Sequence, residues 1–247
     1  MIATGRCGSM KLESLFETVP GVLSDHDIVF GCMRKPNIWW PEIGNEYIKR
    51  KLDSFQSSEY DNIFIKGHHT GTNFIDNFLF NGIVPNAIIL RRPKREIATS
   101  FYKLNCIPYR NKSVQFWYNG PDEPGVLPYN GWEAAHSYQL CYWYCLEIER
   151  RIRKYKPLLQ SKGGLVWELT LDNMLDIDHF NSMLEYFGLS TVNSLSQEKV
   201  NHYEQHLPDL RIKQIPPPGE YLQLLEQQVL DNIPSEFKQY LIDNNLT

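Results

Sequence analysis

The stretch that decides the fold is NAIILRRPKREIATSFY, from Asn86 to Tyr102. Its apolar run Ala87-Ile88-Ile89-Leu90 reads as a buried strand. Arg91 and Arg92 follow, Pro93 takes the place of a first helical residue, and an amphipathic helix comes behind. Four cations (Arg91, Arg92, Lys94 and Arg95) thus gather where a helix macrodipole is already positive. Such a crowd calls for an anion, and the unbonded N–H groups of a helix start are natural anion ligands. Thr99 and Ser100 add hydroxyls two turns in. A solvated basic helix start is the plainer alternative.

Working outward, the same layout recurs upstream. Met1-Ile2-Ala3-Thr4 is a short first strand, followed by Gly5-Arg6-Cys7-Gly8-Ser9-Met10 and a helical pattern in Leu12, Leu15 and Phe16. Strand, glycine turn with a hydroxyl, then helix is the plan of a phosphate-cradling loop, although a plain strand-to-helix turn fits too. It is not a Walker A motif, because the Gly-Lys-Ser/Thr ending is missing. Asn62-Ile63-Phe64-Ile65-Lys66 is a further strand running into Gly67-His68-His69-Thr70-Gly71-Thr72, with Phe74, Ile75, Phe78 and Leu79 at helical spacing behind it. Residues 26–30 are expected as a second strand and 45–55 as a helix, with Trp39 and Trp40 in a loop, packed on the core or walling a pocket. Repeated β-loop-α units predict an α/β fold: one domain over residues 1–247, a central parallel sheet with helices on its faces. Ligands bind such sheets at the carboxyl ends of the strands, and three loops leave those ends. One offers backbone donors, one histidines and one cations.

Composition narrows the function classes. A chain of 247 residues, 42% hydrophobic, is long enough for a substantial core. A net charge of −4 gives no general attraction to nucleic acid or to an anionic membrane. Five cysteines without a CxxC pair suggest neither a disulfide framework nor a zinc site, and fit reduced thiols in a cytoplasm. No membrane span, signal-peptide pattern or metal-ligand spacing is evident.

In the second half, residues 106–131 form a long aromatic and proline-rich loop that includes Trp117, the kind of segment that acts as a lid or pocket wall. A helix is expected over 132–155 with Trp132, His136, Leu140 and Trp143 on one face. That stripe reads as core, with His136 bordering an acceptor pocket and Arg150, Arg151, Arg153 and Lys154 on a solvated face. Leu165-Val166-Trp167 is another buried strand, and a helix near 179–187 stops at Gly188. The tail from about 216 onward reads as one or two docking helices.

In order along the chain, these segments resemble the soluble sulfotransferases that use 3′-phosphoadenosine 5′-phosphosulfate (PAPS). GRCGS at Gly5 to Ser9 is similar to that family's first motif. RRPKREIATS echoes its R-x-P motif, with Thr99 six residues after the proline. IFIKGHH resembles its VKTHL strand end, LPYNGWEAAH its PYGSWxxH segment, and LTLDNML its YEDL signature. The matches cover residues 1 to about 190.

The resemblance implies a P-loop nucleotide-kinase-like fold and a set of roles. Backbone amides of Gly5, Arg6, Cys7, Gly8, Ser9 and Met10, with the Ser9 hydroxyl, would hold the 5′-phosphosulfate. Arg91 with Thr99 or Ser100 would hold the 3′-phosphate. Arg6 and Lys66 would offset transition-state charge in an in-line displacement, and His68, two residues after Lys66, would accept the acceptor's proton. His69 is the reserve base, and Asp27 or His26 stands where some relatives place a glutamate. His69, Trp117, Trp132 and His136 would line the pocket of a small-molecule acceptor, and no metal is required. Met10, Lys11 and Leu171 depart from the usual residues, Leu171 standing where a tyrosine often meets the adenine. The product nucleotide would be 3′-phosphoadenosine 5′-phosphate (PAP). Two other classes stay open: a P-loop kinase of a small molecule or nucleotide, and a non-catalytic nucleotide-binding protein.

Overall fold

In the computed structural model, residues 1–26, 33, 35, 37–66, 73–110, 118–195 and 214–246 are described. The chain is mixed α/β, with short parallel strands set among helices. In order, the first elements are α1 (Ser9–Phe16), β1 (Val22–His26), α2 (Pro41–Gln56), β2 (Asn62–Lys66), α3 (Ile75–Phe80) and β3 (Ala87–Arg91). They are followed by α4 (Lys94–Lys103), α5 (Ser137–Ser161), β4 (Val166–Thr170), α6 (Leu171–Met174), α7 (Ile177–Tyr186), α8 (Gly219–Asn232) and α9 (Ser235–Asp243). Contacts divide the chain into unit 1, Met1–Arg91 with Tyr155–Asp209, and unit 2, Arg92–Lys154 with Leu210–Thr247. The expectation of a single domain drew no such division.

Unit 1 holds the strands. β1 pairs with β2 in parallel, His26 opposite Lys66, and β3 pairs with β4 in parallel, Arg91 opposite Thr170. The N-terminal segment joins the two pairs. The Met1 ammonium donates to the Ile65 carbonyl at 3.1 Å. Ile2 N–H donates to the Ile88 carbonyl, and Leu90 N–H to the Ile2 carbonyl, which makes a parallel bridge with β3. With Met1 bonded to β2 and Ile2 bridged to β3, the first residues of the chain lie between the two pairs. Ala87 to Leu90 are all buried, as an interior parallel strand requires.

Packing in unit 1 centres on Phe16, at the end of α1. Its ring stacks on Phe64 of β2, with centroids 3.9 Å apart, and meets the edge of Phe180 of α7. The stop expected at Gly188 is present: Gly188 has φ 71, and Gly188 and Leu189 N–H cap the carbonyls of Glu185 and Leu184. Two expectations shift. The second strand begins at Val22, one residue after Gly21 takes φ 74, and residues 27–30 lie outside the described residues. Helix α2 starts earlier than expected, with Pro41 at its first position, so Trp40 is its N-cap. Trp39 and Trp40 are 52% and 56% exposed and contribute little to the core.

Unit 2 is helical. Phe101 of α4, Tyr118 and Tyr144 of α5 pack edge to face with centroids 5.1–5.8 Å apart. Leu140 and Trp143 are fully buried, as the apolar stripe predicts. Trp132 and His136 are not on that helix: Trp132–Ala134 form a 3-10 turn, Ala135 is extended, and α5 starts at Ser137. The solvated basic face holds for Arg153 and Lys154, which are exposed, but not for Arg150 and Arg151. Glu147 is wholly buried, with Arg150 Nε at 2.8 Å and Arg151 Nε at 2.5 Å. Glu147 also accepts from Leu127 N–H at 2.9 Å, while Trp143 Nε1 donates to the Leu127 carbonyl at 2.9 Å, fixing the preceding loop to α5. The tail forms the two helices α8 and α9.

Candidate functional site

The carboxyl ends of four parallel segments of unit 1 lie in a row: Lys66 of β2, Thr4, Arg91 of β3 and Thr170 of β4. The glycine loop leaves the middle of that row. Gly5 (φ 82), Arg6 (φ 54) and Gly8 (φ 93) all have a left-handed φ. Cys7 is buried, its thiol donating to the Gly5 carbonyl at 3.2 Å and lying 2.9 Å from the Thr4 hydroxyl. The thiol holds the turn from within.

Helix α1 starts directly after Gly8, with no side-chain cap and no acidic residue in its first turn. Glycine is required at position 8 on two counts. Its φ belongs to the left-handed region, and a Cβ there would lie 2.5 Å from Leu171 Cδ1 and 3.3 Å from Met174 Cε. Leu171, noted in the sequence as a departure, therefore packs under the loop.

Lys66 closes β2 and is buried. Its ammonium lies 3.1 Å from Glu13 Oε2 and 2.7 Å from Met10 Sδ, so it rests beside the first turns of α1. Glu13 escaped the sequence reading, although a carboxylate among Leu12, Leu15 and Phe16 on the buried side of α1 was a usable signal.

Arg91 ends β3 with Nε 2.9 Å from Glu168 Oε2 of β4, and Lys156 Nζ reaches Glu168 Oε1 at 2.6 Å. Burial pushes the Glu168 carboxyl up, but the hydrogen bonds from Arg91 and Lys156 outweigh it and hold the group below the usual carboxylate range.

The other cations of the decisive stretch belong to unit 2 and are engaged there. Arg92 pairs with Glu96 at 3.0 Å and Arg95 with Glu226 at 2.6 Å. Lys94 donates to the Leu246 carbonyl, and burial pulls its pKa down. Electrostatic need for an external anion at this helix start is thus met in large part from within, which corrects the expectation drawn from charge alone. Pro93 is the N-cap of α4 rather than its first helical residue.

Thr99 also lies in unit 2. It hydrogen-bonds the Tyr138 phenol, which in turn donates to Glu226 Oε1 at 2.6 Å. Ser100 follows it on α4. His136 stacks on Tyr102, and its Nδ1 accepts from Tyr138 N–H at 3.2 Å. Burial, and secondarily Arg110, lower its pKa and favour the neutral ring. With Nδ1 accepting, the proton sits on Nε2, so this ring is arranged as a donor rather than a base. Trp132 meets the edge of Tyr109. His68, His69, Trp117 and Asp27 lie outside the described residues, and His26 is described only as the last residue of β1.

Among the described residues no cluster of His, Cys, Asp and Glu is placed to hold a metal ion, and no helix is long and apolar enough to cross a membrane. Cys7, Cys106, Cys141 and Cys145 are buried thiols. Comparison with protein-family models, with curated proteins and with solved structures gives no match.

Proposed function

We propose that this chain is a PAPS-dependent sulfotransferase acting on a hydroxyl or amine of a small-molecule acceptor. The observation that carries the reading is the left-handed Gly5–Arg6 and Gly8 turn opening α1 between the strand ends of Lys66 and Arg91. A helix start without a side-chain cap suits a phosphosulfate, and flanking cations suit its charge. The segment order also supports a P-loop nucleotide-kinase-like topology. Numbered along the chain with residues 1–4 first, it runs 2-3-1-4-5.

In this mechanism the amides of residues 5–10 hold the 5′-phosphosulfate and Arg91 holds the 3′-phosphate. Arg6 and Lys66 offset charge on the transferring group while the sulfur–oxygen bond to the nucleotide breaks and a bond to the acceptor forms. The acceptor's proton passes to a base, for which His68 remains the assignment from sequence. Positioning and charge stabilisation supply most of the rate, as in phosphoryl transfer.

The deciding experiment is calorimetry with PAP against ATP, followed by sulfate transfer from PAPS to a panel of phenols, alcohols and amines. Tighter binding of PAP and measurable transfer are expected. Preference for ATP would replace the reading with a kinase, and PAP binding without transfer to any acceptor with a non-catalytic nucleotide-binding role.

A further inference from the structure

At the end of unit 1 opposite the glycine loop, a cavity of about 870 Å³ opens at the amino ends of the strands. That volume lies within the range of roughly 300–1,000 Å³ typical of small-molecule sites. Its interior is apolar: Ile63 and Ile65 of β2, Ile88 of β3, Leu52 of α2, and Phe78 of α3. Phe16 lines it as well, at the far end of the helix that starts at the loop.

β2 pairs with β1 on one side, and on the other its Ile65 carbonyl accepts from the Met1 ammonium. Parallel strands in α/β folds are usually buried on both faces, yet the two faces of β2 are covered unequally. Phe64 and Lys66 are buried on one, whereas Ile63 and Ile65 are only half-buried. Ile65 and Leu52 pack in part against Ile48, Phe74 and Phe78, and both also line the cavity.

The mouth is polar but its charges stay in water. Lys49, Asp53 and Asp61 line it and are exposed, as are Tyr60 and Asn62. The Met1 ammonium, which also lines the cavity, is hydrogen-bonded to the Ile65 carbonyl, so drawing an ionic head inside costs more water than drawing an uncharged one. A hydroxyl or carbonyl head resting at the mouth would meet phenol and amide groups instead.

We infer that this cavity is a second binding site, for an uncharged molecule with an apolar body and a single hydroxyl or carbonyl head. The inference is independent of the sulfotransferase reading, because it uses neither the glycine loop nor the cations.

The test is calorimetry on the full chain with 1-octanol, octanoate and octylammonium, which share a body and differ in head. Saturable binding of octanol at least tenfold tighter than of either ion is expected. Ile63→Trp and Leu52→Trp each fill the cavity and should weaken octanol at least tenfold while the melting temperature holds or rises. Leu52 is on a helix and half-buried, so that variant keeps the test open if the strand substitution prevents folding. Equal binding of the three heads, no saturable octanol binding, or octanol binding that survives filling would each overturn the site. Survival after filling would place the alcohol elsewhere, an acceptor pocket included.

Discussion

Lys66 Nζ and Glu13 Oε2 face each other at 3.1 Å with side chains only 5% and 6% exposed, one closing β2 and the other on α1. A buried pair is hard to break from one side, because the survivor is left as an unpaired buried charge. Lys66→Met should therefore destabilise unit 1 by about 3–5 kcal/mol. Removing both charges, with Lys66→Met and Glu13→Gln together, should recover most of that loss in denaturant unfolding. Under the proposed mechanism, sulfate transfer stays low in the double variant even as stability returns. Recovery of both would reduce Lys66 to a structural cation.

Gly8 separates loop geometry from ordinary turn tolerance. Gly8→Ala places a side chain at φ 93 and 2.5 Å from Leu171 Cδ1. The conformation alone costs roughly 1–2 kcal/mol, and the clash adds to it. Adding Leu171→Ala should return the part due to the clash but not the part due to φ. Thermal melts of the two variants against wild type measure the split. A Gly8→Ala protein as stable as wild type would show that the loop relaxes freely, and would remove the case for a rigid anion cradle.

Particular residues show what the sequence could and could not disclose. Ala87 to Leu90 and Ile63 to Ile65 lie in strands because each is a short unbroken apolar run rich in isoleucine. Gly188 ends its helix through a φ that glycine supplies cheaply. Charge pairing was another matter. Arg91 meets Glu168 across 77 residues of chain, and Arg95 meets Glu226 across 131, so no local pattern announces either. From sequence the cations at the start of α4 require an anion, and most of that charge is met by carboxylates of the fold itself. Arg150 and Arg151 looked solvated because spacing gives a face of the helix but not the burial of Glu147 between them. The base assigned to the reaction, His68, stands on sequence alone.

Glu147 sets an acid limit on unit 2. Burial would raise its carboxyl, but Arg151 and Arg150 outweigh that and bring it below its ordinary value near 4.5. A group depressed on folding contributes stability that is present above the unfolded value and lost as pH falls through the folded one. Unfolding at pH 7, 5, 4 and 3 should show a loss in the acid range that is smaller in Glu147→Gln. That variant should also be destabilised by about 3–5 kcal/mol at pH 7, with two arginines left facing a neutral amide. Equal acid sensitivity in the two proteins would show that Glu147 does not set the limit.

Arg91 is shared between a structural partner and a proposed ligand, and the sharing has a sign. Its Nε is committed to Glu168, which Lys156 also holds. If Arg91 binds the 3′-phosphate, the Glu168 carboxylate competes for the same cation, and neutralising it should strengthen nucleotide binding. Glu168→Gln should then bind PAP more tightly. Arg91→Ala should weaken PAP by about ten- to a hundredfold, the worth of a charge-assisted hydrogen bond of roughly 1.5–3 kcal/mol. AMP, which lacks the 3′-phosphate, is the internal control, and its affinity should be unchanged in Arg91→Ala. Loss of PAP and AMP in equal measure would show general damage to β3 and β4. A normal PAP affinity in Arg91→Ala would withdraw the 3′-phosphate assignment and leave Arg91 as a strut between the two strands.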